Sequence, residues 1–362
     1  MMYRVINMKK AKKILSVIIL LIFSIYCLFC AEEVRNAAFS AIDRCLRSLI
    51  PSLYIMMILS SLLISSGIIS AMGNFAERTL GRFLPMNGET MITFLFASVA
   101  GYPVGAKMIY SQYTQNRIDR KSAIMWSGVC FGAGSAFIFG CTASGAAGKL
   151  IMISTAAANL ILAAVISIFG GKKSSATANP RKIAVSTDML TNSVTSAGKS
   201  MAEICFVVTA FSVITALLRR LGIIAISGEI LAKFFSLPTS AAETLIAAFL
   251  DVTAVSELPR NNFTLLPITA TAISFGGICV FFQISAIFRG KLPILPMLFI
   301  RVCGGILSGI ICRLLLPYFI FSESVAVSAV TPKIHQAASP VPSIILVIMT
   351  AILFIKVSPR KT

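Results

Sequence analysis

Long runs of apolar residues, separated by short polar segments, fill most of the chain. Eight of these runs are long enough to cross a bilayer, which takes about 20 residues of α-helix. They cover residues 13–30, 48–69, 122–140, 150–170, 200–218, 265–288, 293–316 and 342–357. The pattern predicts an all-α polytopic membrane protein with about eight transmembrane helices.

Two further kinds of segment recur between the predicted spans. Residues 74–84 and 223–235 place apolar positions on one helical face and charged positions on the other, which indicates helices lying at the membrane interface. Each is followed by an apolar segment that is then interrupted, by Gly and Pro within residues 88–110 and by polar residues within residues 239–258. These interrupted segments either cross the membrane or enter it and return.

The basic residues favour the second arrangement. If both interrupted segments are re-entrant hairpins, both termini are cytoplasmic and most Lys and Arg residues lie on the cytoplasmic side. If both segments cross, Lys and Arg divide almost evenly between the two sides, against the positive-inside rule. We therefore predict a multi-pass protein of the cell membrane with two re-entrant hairpins and cytoplasmic termini.

The order of elements also repeats along the chain. Cys130-Phe131-Gly132 interrupts one predicted span, and Ser274-Phe275-Gly276 interrupts another 144 residues later. Each period holds three full spans, an odd number, so the two copies are expected to be inverted repeats. Internal duplication of this kind is typical of secondary transporters.

This organisation divides the chain into five parts. Residues 1–45 hold an N-terminal span and an amphipathic segment, 46–170 the first repeat, and 171–198 a polar cytoplasmic linker. Residues 199–320 hold the second repeat, and 321–362 a loop and a C-terminal span.

Composition excludes several classes of function. With 57% hydrophobic and 12% charged residues, the chain is not a soluble enzyme. The net charge of +19 is explained by basic cytoplasmic loops, and no nucleic-acid-binding motif accompanies it. No nucleotide-binding loop, nucleophile elbow or zinc-protease motif is present, and the single histidine, His335, lies in a polar loop. We expect no catalytic residue, no metal and no cofactor.

The first hairpin offers backbone groups for a polar solute. Its tip reads Gly101-Tyr102-Pro103-Val104-Gly105-Ala106-Lys107. The glycines relax backbone torsions and Pro103 removes a donor, so amides and carbonyls become available as ligands. The alternative is a plain turn, with Lys107 extending to the cytoplasmic face.

The second hairpin offers carboxylates. Asp251 directly follows an apolar run and Glu257 lies near the end of the hairpin. An acidic side chain at membrane depth costs about 2.5–3.5 kcal/mol, so it indicates a functional site unless it serves in a structural ion pair. At the repeat offset Lys107 corresponds to Glu257, which makes Lys107 a candidate partner for either carboxylate.

The interrupted spans supply the remaining candidates. They are Gly132 and Ser135 in the first repeat and Ser274, Gly276 and Gln283 in the second. Unwound helix ends hold ions or polar solutes in transporters. The alternative is that these small residues allow tight helix packing.

The chain resembles a known family at this point. The tip string Gly101–Lys107, preceded by Leu49-Ile50-Pro51-Ser52-Leu53, is similar to YlbJ-type sporulation integral membrane proteins over roughly residues 46–316. These proteins carry nucleoside-recognition (Gate) domains and are distantly similar to concentrative nucleoside transporters. The resemblance implies a role in spore cortex formation. It also implies two re-entrant hairpins and two discontinuous spans around a midplane site that moves by an elevator mechanism. The first tip is less polar than those of nucleoside transporters, so the resemblance does not extend to a nucleoside substrate.

The leading expectation is a transporter-like membrane protein of the sporulating cell that moves or senses a small polar solute, with or without a coupling ion. Its partners would be that solute, the lipid bilayer and further copies of the chain in a homo-oligomer. Two alternatives stay open: a non-transporting membrane scaffold for sporulation partners, and a general secondary transporter unconnected with sporulation.

Overall fold

The computed structural model describes residues 14, 17–18, 21–80, 86–142, 145–169, 186–259 and 262–326, and every regular element within them is helical. The predicted span 342–357 and His335 lie outside the described residues, whereas residues 21–29 of the predicted span 13–30 are described and helical. By compactness the chain divides into Met1–Ile320 and Phe321–Thr362, and the site described below belongs to the first unit.

After helical residues 21–29, the described residues of the first half form eight helices and two π-helical turns. A long helix comprises α1 (Ala31–Arg44), a π-turn (Cys45–Leu49) and α2 (Ile50–Ser65). Then follow α3 (Ile68–Leu80), α4 (Gly88–Ala100), α5 (Val104–Thr114), α6 (Arg120–Val129), α7 (Ser135–Phe137) with a π-turn (Ile138–Thr142), and α8 (Gly145–Phe169).

The second half has the same order of elements. It consists of α9 (Thr187–Arg220), α10 (Ile223–Phe235), α11 (Thr239–Leu250), a 3₁₀ turn (Val252–Glu257), α12 (Leu266–Phe275), α13 (Gly277–Phe288) and α14 (Leu295–Ala326). In both halves a long helix is followed by a short helix, a helix that ends in a sharp break, a broken span and a second long helix.

Five helical stretches among the described residues are long and apolar enough to cross a membrane. They are Ala31–Ser65, Gly145–Ile168, Thr187–Arg220, Leu266–Phe288 and Leu295–Phe319. A sixth would be the pair α10 and α11, but these helices meet at 114°, as a surface helix and a hairpin limb would. The structure therefore supports an all-α, multi-pass membrane protein with five or six candidate spans.

The predicted span 122–140 is broken between α6 and α7, where residues 131–134 leave the helix at the interruption that its small residues predicted. Two other predicted elements differ from the observed ones. The surface helix predicted for 74–84 already begins at Ile68. The polar stretch 31–47 is continuous with the following span. Pro51 has no N–H to donate, and the π-turn at Cys45–Leu49 accommodates this missing backbone hydrogen bond without ending the helix.

Helix α9 is the scaffold against which the site is assembled. It lies antiparallel to α1 and α2, since Arg220 pairs with Glu33 at 3.0 Å while Arg44 donates to Ser212 at 2.9 Å. The broken span Leu266–Phe288 is the most buried of the five, and α5 contributes fully buried residues such as Val104 and Ile109. The hairpins and broken spans thus occupy the interior.

Candidate functional site

The tip of the first hairpin packs directly on the break of the first interrupted span. The Tyr102 backbone N–H donates to the Gly132 carbonyl at 2.6 Å. Gly101, with φ +83°, allows this approach, because a Cβ there would overlap Gly134 and lie 2.8 Å from its Cα. Gly105 is equally constrained, since a Cβ would overlap the Cys130 carbonyl oxygen. Pro103 precedes the first residue of α5.

The tip of the second hairpin packs on the second break in the same way. Helix α11 ends at Leu250, and Asp251 follows in an extended conformation that turns the chain into the 3₁₀ segment. A Cβ on Gly277 would lie 2.9 Å from the Val252 nitrogen and 3.0 Å from the Ala248 carbonyl oxygen. Each hairpin tip therefore touches the break of its own half.

Aromatic side chains join the two halves. The Phe131 ring, at the first break, lies 4.9 Å from the Tyr102 ring and 5.7 Å from the Phe281 ring, centroid to centroid. The same ring faces Gly276 at the second break, where a Cβ would come within 2.6 Å of it. The first tip and both breaks thus meet around Phe131.

Asp251 is the acidic group of this region. It is 2% exposed, and its carboxylate accepts from the Ser212 hydroxyl at 3.1 Å and from the Thr253 backbone N–H at 3.1 Å. No lysine or arginine in the described part of the chain forms an ion pair with it. Since a carboxylate offers about four lone-pair sites, Asp251 retains capacity for a ligand.

A small cavity of about 30 Å³ lies on one side of Asp251. It is enclosed by residues from both tips and both broken spans, among them Tyr102, Gly134, Thr253 and Gln283. The volume holds one or two water molecules, so this inner cavity is closed to any larger solute.

A larger cavity, of about 200 Å³, also has Asp251 in its lining and is called the vestibule below. Its charged residues are Arg44, Arg219, Asp251 and Glu257. Glu257 pairs with Arg219 at 3.2 Å and with Arg44 at 3.7 Å, and Arg44 in turn donates to Ser212. The volume is below the roughly 300–1,000 Å³ of pockets for drug-sized ligands, so the vestibule suits a small solute.

Lys107 does not lie beside either carboxylate. Its ammonium donates to Ser200 at 3.1 Å and to Ser196 at 3.4 Å, in the first half of α9. Ser212, the partner of Asp251, follows Ser200 by about 18 Å along the helix axis, and Arg219, the partner of Glu257, by about 28 Å. Lys107, Asp251 and Glu257 therefore contact α9 at three successive heights along its axis.

Among the other predicted residues, Gln283 lines the inner cavity and donates to the Cys279 sulfur at 3.3 Å. Ser135 is the half-buried first residue of α7. Ser274 faces α14 instead of a cavity, since its hydroxyl donates to the Gly304 carbonyl at 3.2 Å.

Two buried polar residues at the breaks, Arg301 and Asn159, were not among the predicted site residues. Arg301 is fully buried, and Asn159 is 3% exposed and donates to the Phe131 carbonyl at 2.8 Å. The sequence did point to Arg301. A charged side chain inside the predicted span 293–316 carries the same energetic cost of burial in the membrane that made Asp251 a candidate.

Comparison of the chain with models of protein families, with characterised proteins and with solved structures finds no match.

Proposed function

We propose that the chain is a transporter-like integral membrane protein that moves or senses a small polar solute at Asp251. The observation that carries this proposal is the position of Asp251, whose buried carboxylate lines both the vestibule and the inner cavity. A carboxylate with a purely structural role at this depth would be expected to form a close ion pair.

The two cavities support an alternating-access mechanism. The vestibule gives a small solute access to Asp251 from one side. In the inner cavity, the residues of the tips and broken spans leave space for water alone. For a solute to pass, these elements would have to separate on the inner side while the vestibule closes, as in transporters built from broken helices.

The levels of the charged residues along α9 support inverted hairpins. Lys107, on the second limb of the first hairpin, contacts the first half of α9. Glu257, at the end of the second hairpin, pairs with Arg219, near the last residue of α9. Two hairpins entering from opposite faces of the membrane would have this arrangement. It fits the proposed topology of eight spans, two re-entrant hairpins and cytoplasmic termini.

The biological role is proposed from the resemblance to YlbJ-type proteins, which implies spore cortex formation. The same resemblance implies an elevator mechanism. Because elevator transporters are often multimers, we also propose a homo-oligomer. Two alternatives differ from this proposal in what they predict. A scaffold for sporulation partners would not need the Asp251 carboxylate, and a general solute carrier would also be needed during vegetative growth.

The test is the yield of heat-resistant spores from a deletion strain of the native host that expresses wild type, Asp251→Asn or Glu229→Gln. Glu229 is an exposed carboxylate on α10 and provides a matched control. We expect wild type and Glu229→Gln to restore the yield. Asp251→Asn should lower it about tenfold or more, since a hydrogen-bonding charge is worth roughly 1.5–3 kcal/mol.

Protein abundance in the membrane must be equal among the three strains. Full restoration by Asp251→Asn would contradict the proposal and favour the scaffold. A defect of the deletion strain in vegetative growth would favour the general carrier.

A further inference from the structure

Arg301 donates a hydrogen bond from each of its four terminal N–H groups. One terminal nitrogen donates to the Gly128 carbonyl at 3.0 Å and to Asn159 Oδ1 at 2.8 Å. The other donates to the Ser274 carbonyl at 2.6 Å and to the Ser274 hydroxyl at 2.8 Å. The guanidinium is thus surrounded by four oxygens from three different helices.

Two of these oxygens belong to the ends of half-helices. Gly128 lies in the last turn of α6 and Ser274 in the last turn of α12. Carbonyls in the last turn of a helix have no partner within the helix and carry the partial negative charge of its dipole. Arg301 therefore lies where the negative ends of two half-helices, one from each half of the chain, converge.

The charge of Arg301 is balanced by these ends. No acidic side chain in the described ranges pairs with it, and the guanidinium carbon lies 4.9 Å from the centre of the Phe131 ring, over its electron-rich face. In transporters with discontinuous helices, half-helix ends and unwound carbonyls coordinate the coupling cation. Four oxygens at hydrogen-bonding distance offer the same kind of coordination.

We propose that Arg301 is a resident cation: its guanidinium occupies the place between the α6 and α12 ends that a bound alkali cation would otherwise take. It acts as a positioning residue, because it holds both breaks in the geometry on which the hairpin tips pack. Assembly of the site then requires no sodium or potassium ion at this position. This inference goes beyond solute movement at Asp251 and does not depend on it.

Asn159 completes the arrangement from the other half. Its side chain accepts from Arg301 and donates to the Phe131 carbonyl, so one amide connects the guanidinium to the first break. Arg301 follows Asn159 by 142 residues, close to the 144 that separate the two breaks. The two residues therefore occupy nearly equivalent positions in the two halves.

The test is thermal unfolding of the purified full-length protein in lipid nanodiscs. The variants are Arg301→Lys, Arg301→Gln and Arg301→Ala, with Arg313→Gln as control, because Arg313 is an exposed arginine on the same helix. We expect wild type to have the same Tm in sodium chloride and choline chloride. Arg301→Gln should lose roughly 5 °C or more, Arg301→Lys should lose less, and Arg313→Gln should match wild type.

Chemical rescue supplies the readout that a merely space-filling residue would not give. Guanidinium chloride at millimolar concentration, far below denaturing levels, should raise the Tm of Arg301→Ala while leaving wild type and Arg313→Gln unchanged. Sodium chloride should raise the Tm of Arg301→Ala above its value in choline chloride.

Three results would overturn the proposal. The first is an Arg301→Gln variant as stable as Arg301→Lys, which would show that the positive charge is not required. The second is an Arg301→Ala variant that responds to neither guanidinium nor sodium. The third is equal stabilisation of wild type and Arg301→Ala by sodium. If Arg301→Ala does not fold, the Lys and Gln variants decide: folding of Lys alone supports the proposal, and failure of both contradicts it.

Discussion

Replacing Gly105 with Ala is expected to push the first hairpin away from the first helix break. A Cβ at this position would overlap the Cys130 carbonyl oxygen and lie 2.6 Å from the Ala97 Cβ. Neither neighbour is the end of a flexible side chain, so the overlap is relieved only by moving the hairpin or the break. The backbone contact of Tyr102 with Gly132 would lengthen as a result.

The magnitude follows from two opposing effects. Overpacking of this kind costs about 1–3 kcal/mol, and contact with fixed backbone places Gly105→Ala near the upper end. Alanine gains up to about 1 kcal/mol of helix stability over glycine within α5. The expected net loss is therefore about 2 kcal/mol, or a decrease in Tm of roughly 4 °C for a chain of this size.

Gly198→Ala is the matched control, because Gly198 lies within α9 and a Cβ there would meet no atom within 4 Å. Alanine at this position should leave the Tm unchanged or raise it slightly. The assay is thermal unfolding of both purified variants in nanodiscs. A Gly105→Ala variant as stable as Gly198→Ala would refute the close packing of the first tip on the first break.

Two further predictions concern charged groups near the ends of helices. Glu89 and Arg117 form an ion pair with only 12% and 10% of their side chains exposed, so Glu89→Gln should cost about 3–5 kcal/mol in the same assay. Disruption of the exposed pair Asp43–Arg47 should cause no measurable change, and an equal loss in both cases would contradict the burial argument. Asp119 caps α6 by accepting from the backbone N–H of residues 121 and 122, so Asp119→Ala should cost about 1 kcal/mol. Burial acts to raise the pKa of Asp119, but these hydrogen bonds outweigh burial and hold the pKa below its usual range. The stabilisation by the cap is therefore present above about pH 4 and should disappear as the pH falls further. A cost of Asp119→Ala that does not depend on pH would contradict the capping role.

The long helices could be predicted from the sequence because apolar period and length alone define them. The predicted span 265–288 corresponds to Leu266–Phe288, and the predicted 150–170 to Gly145–Phe169. The two hairpin segments were also visible as interrupted apolar runs. Local composition determines these features, so a single sequence contains them.

The site was harder to predict because its contacts are long-range. The hydrogen-bond acceptors of Arg301 are 27 to 173 residues away along the chain, and no local sequence pattern predicts contacts over such separations. The pairing of Lys107 with a carboxylate was wrong for a related reason. The equivalent positions Lys107 and Glu257 contact α9 at different heights, at Ser200 and Arg219, so correspondence in the repeat does not imply contact.

Labelling of single cysteines tests whether two hairpins from opposite membrane faces enclose the site at Asp251, as we propose. Glu257→Cys and Ser196→Cys are introduced separately into a variant in which the nine native cysteines are replaced. Glu257 marks the open end of the second hairpin, and exposed Ser196 contacts Lys107 of the first.

A membrane-impermeant thiol reagent is then applied to intact cells. We expect Glu257→Cys to react from outside the cell and Ser196→Cys to react only after the membrane is permeabilised. Reaction of both cysteines from the same side would contradict the inverted arrangement and, with it, alternating access to Asp251.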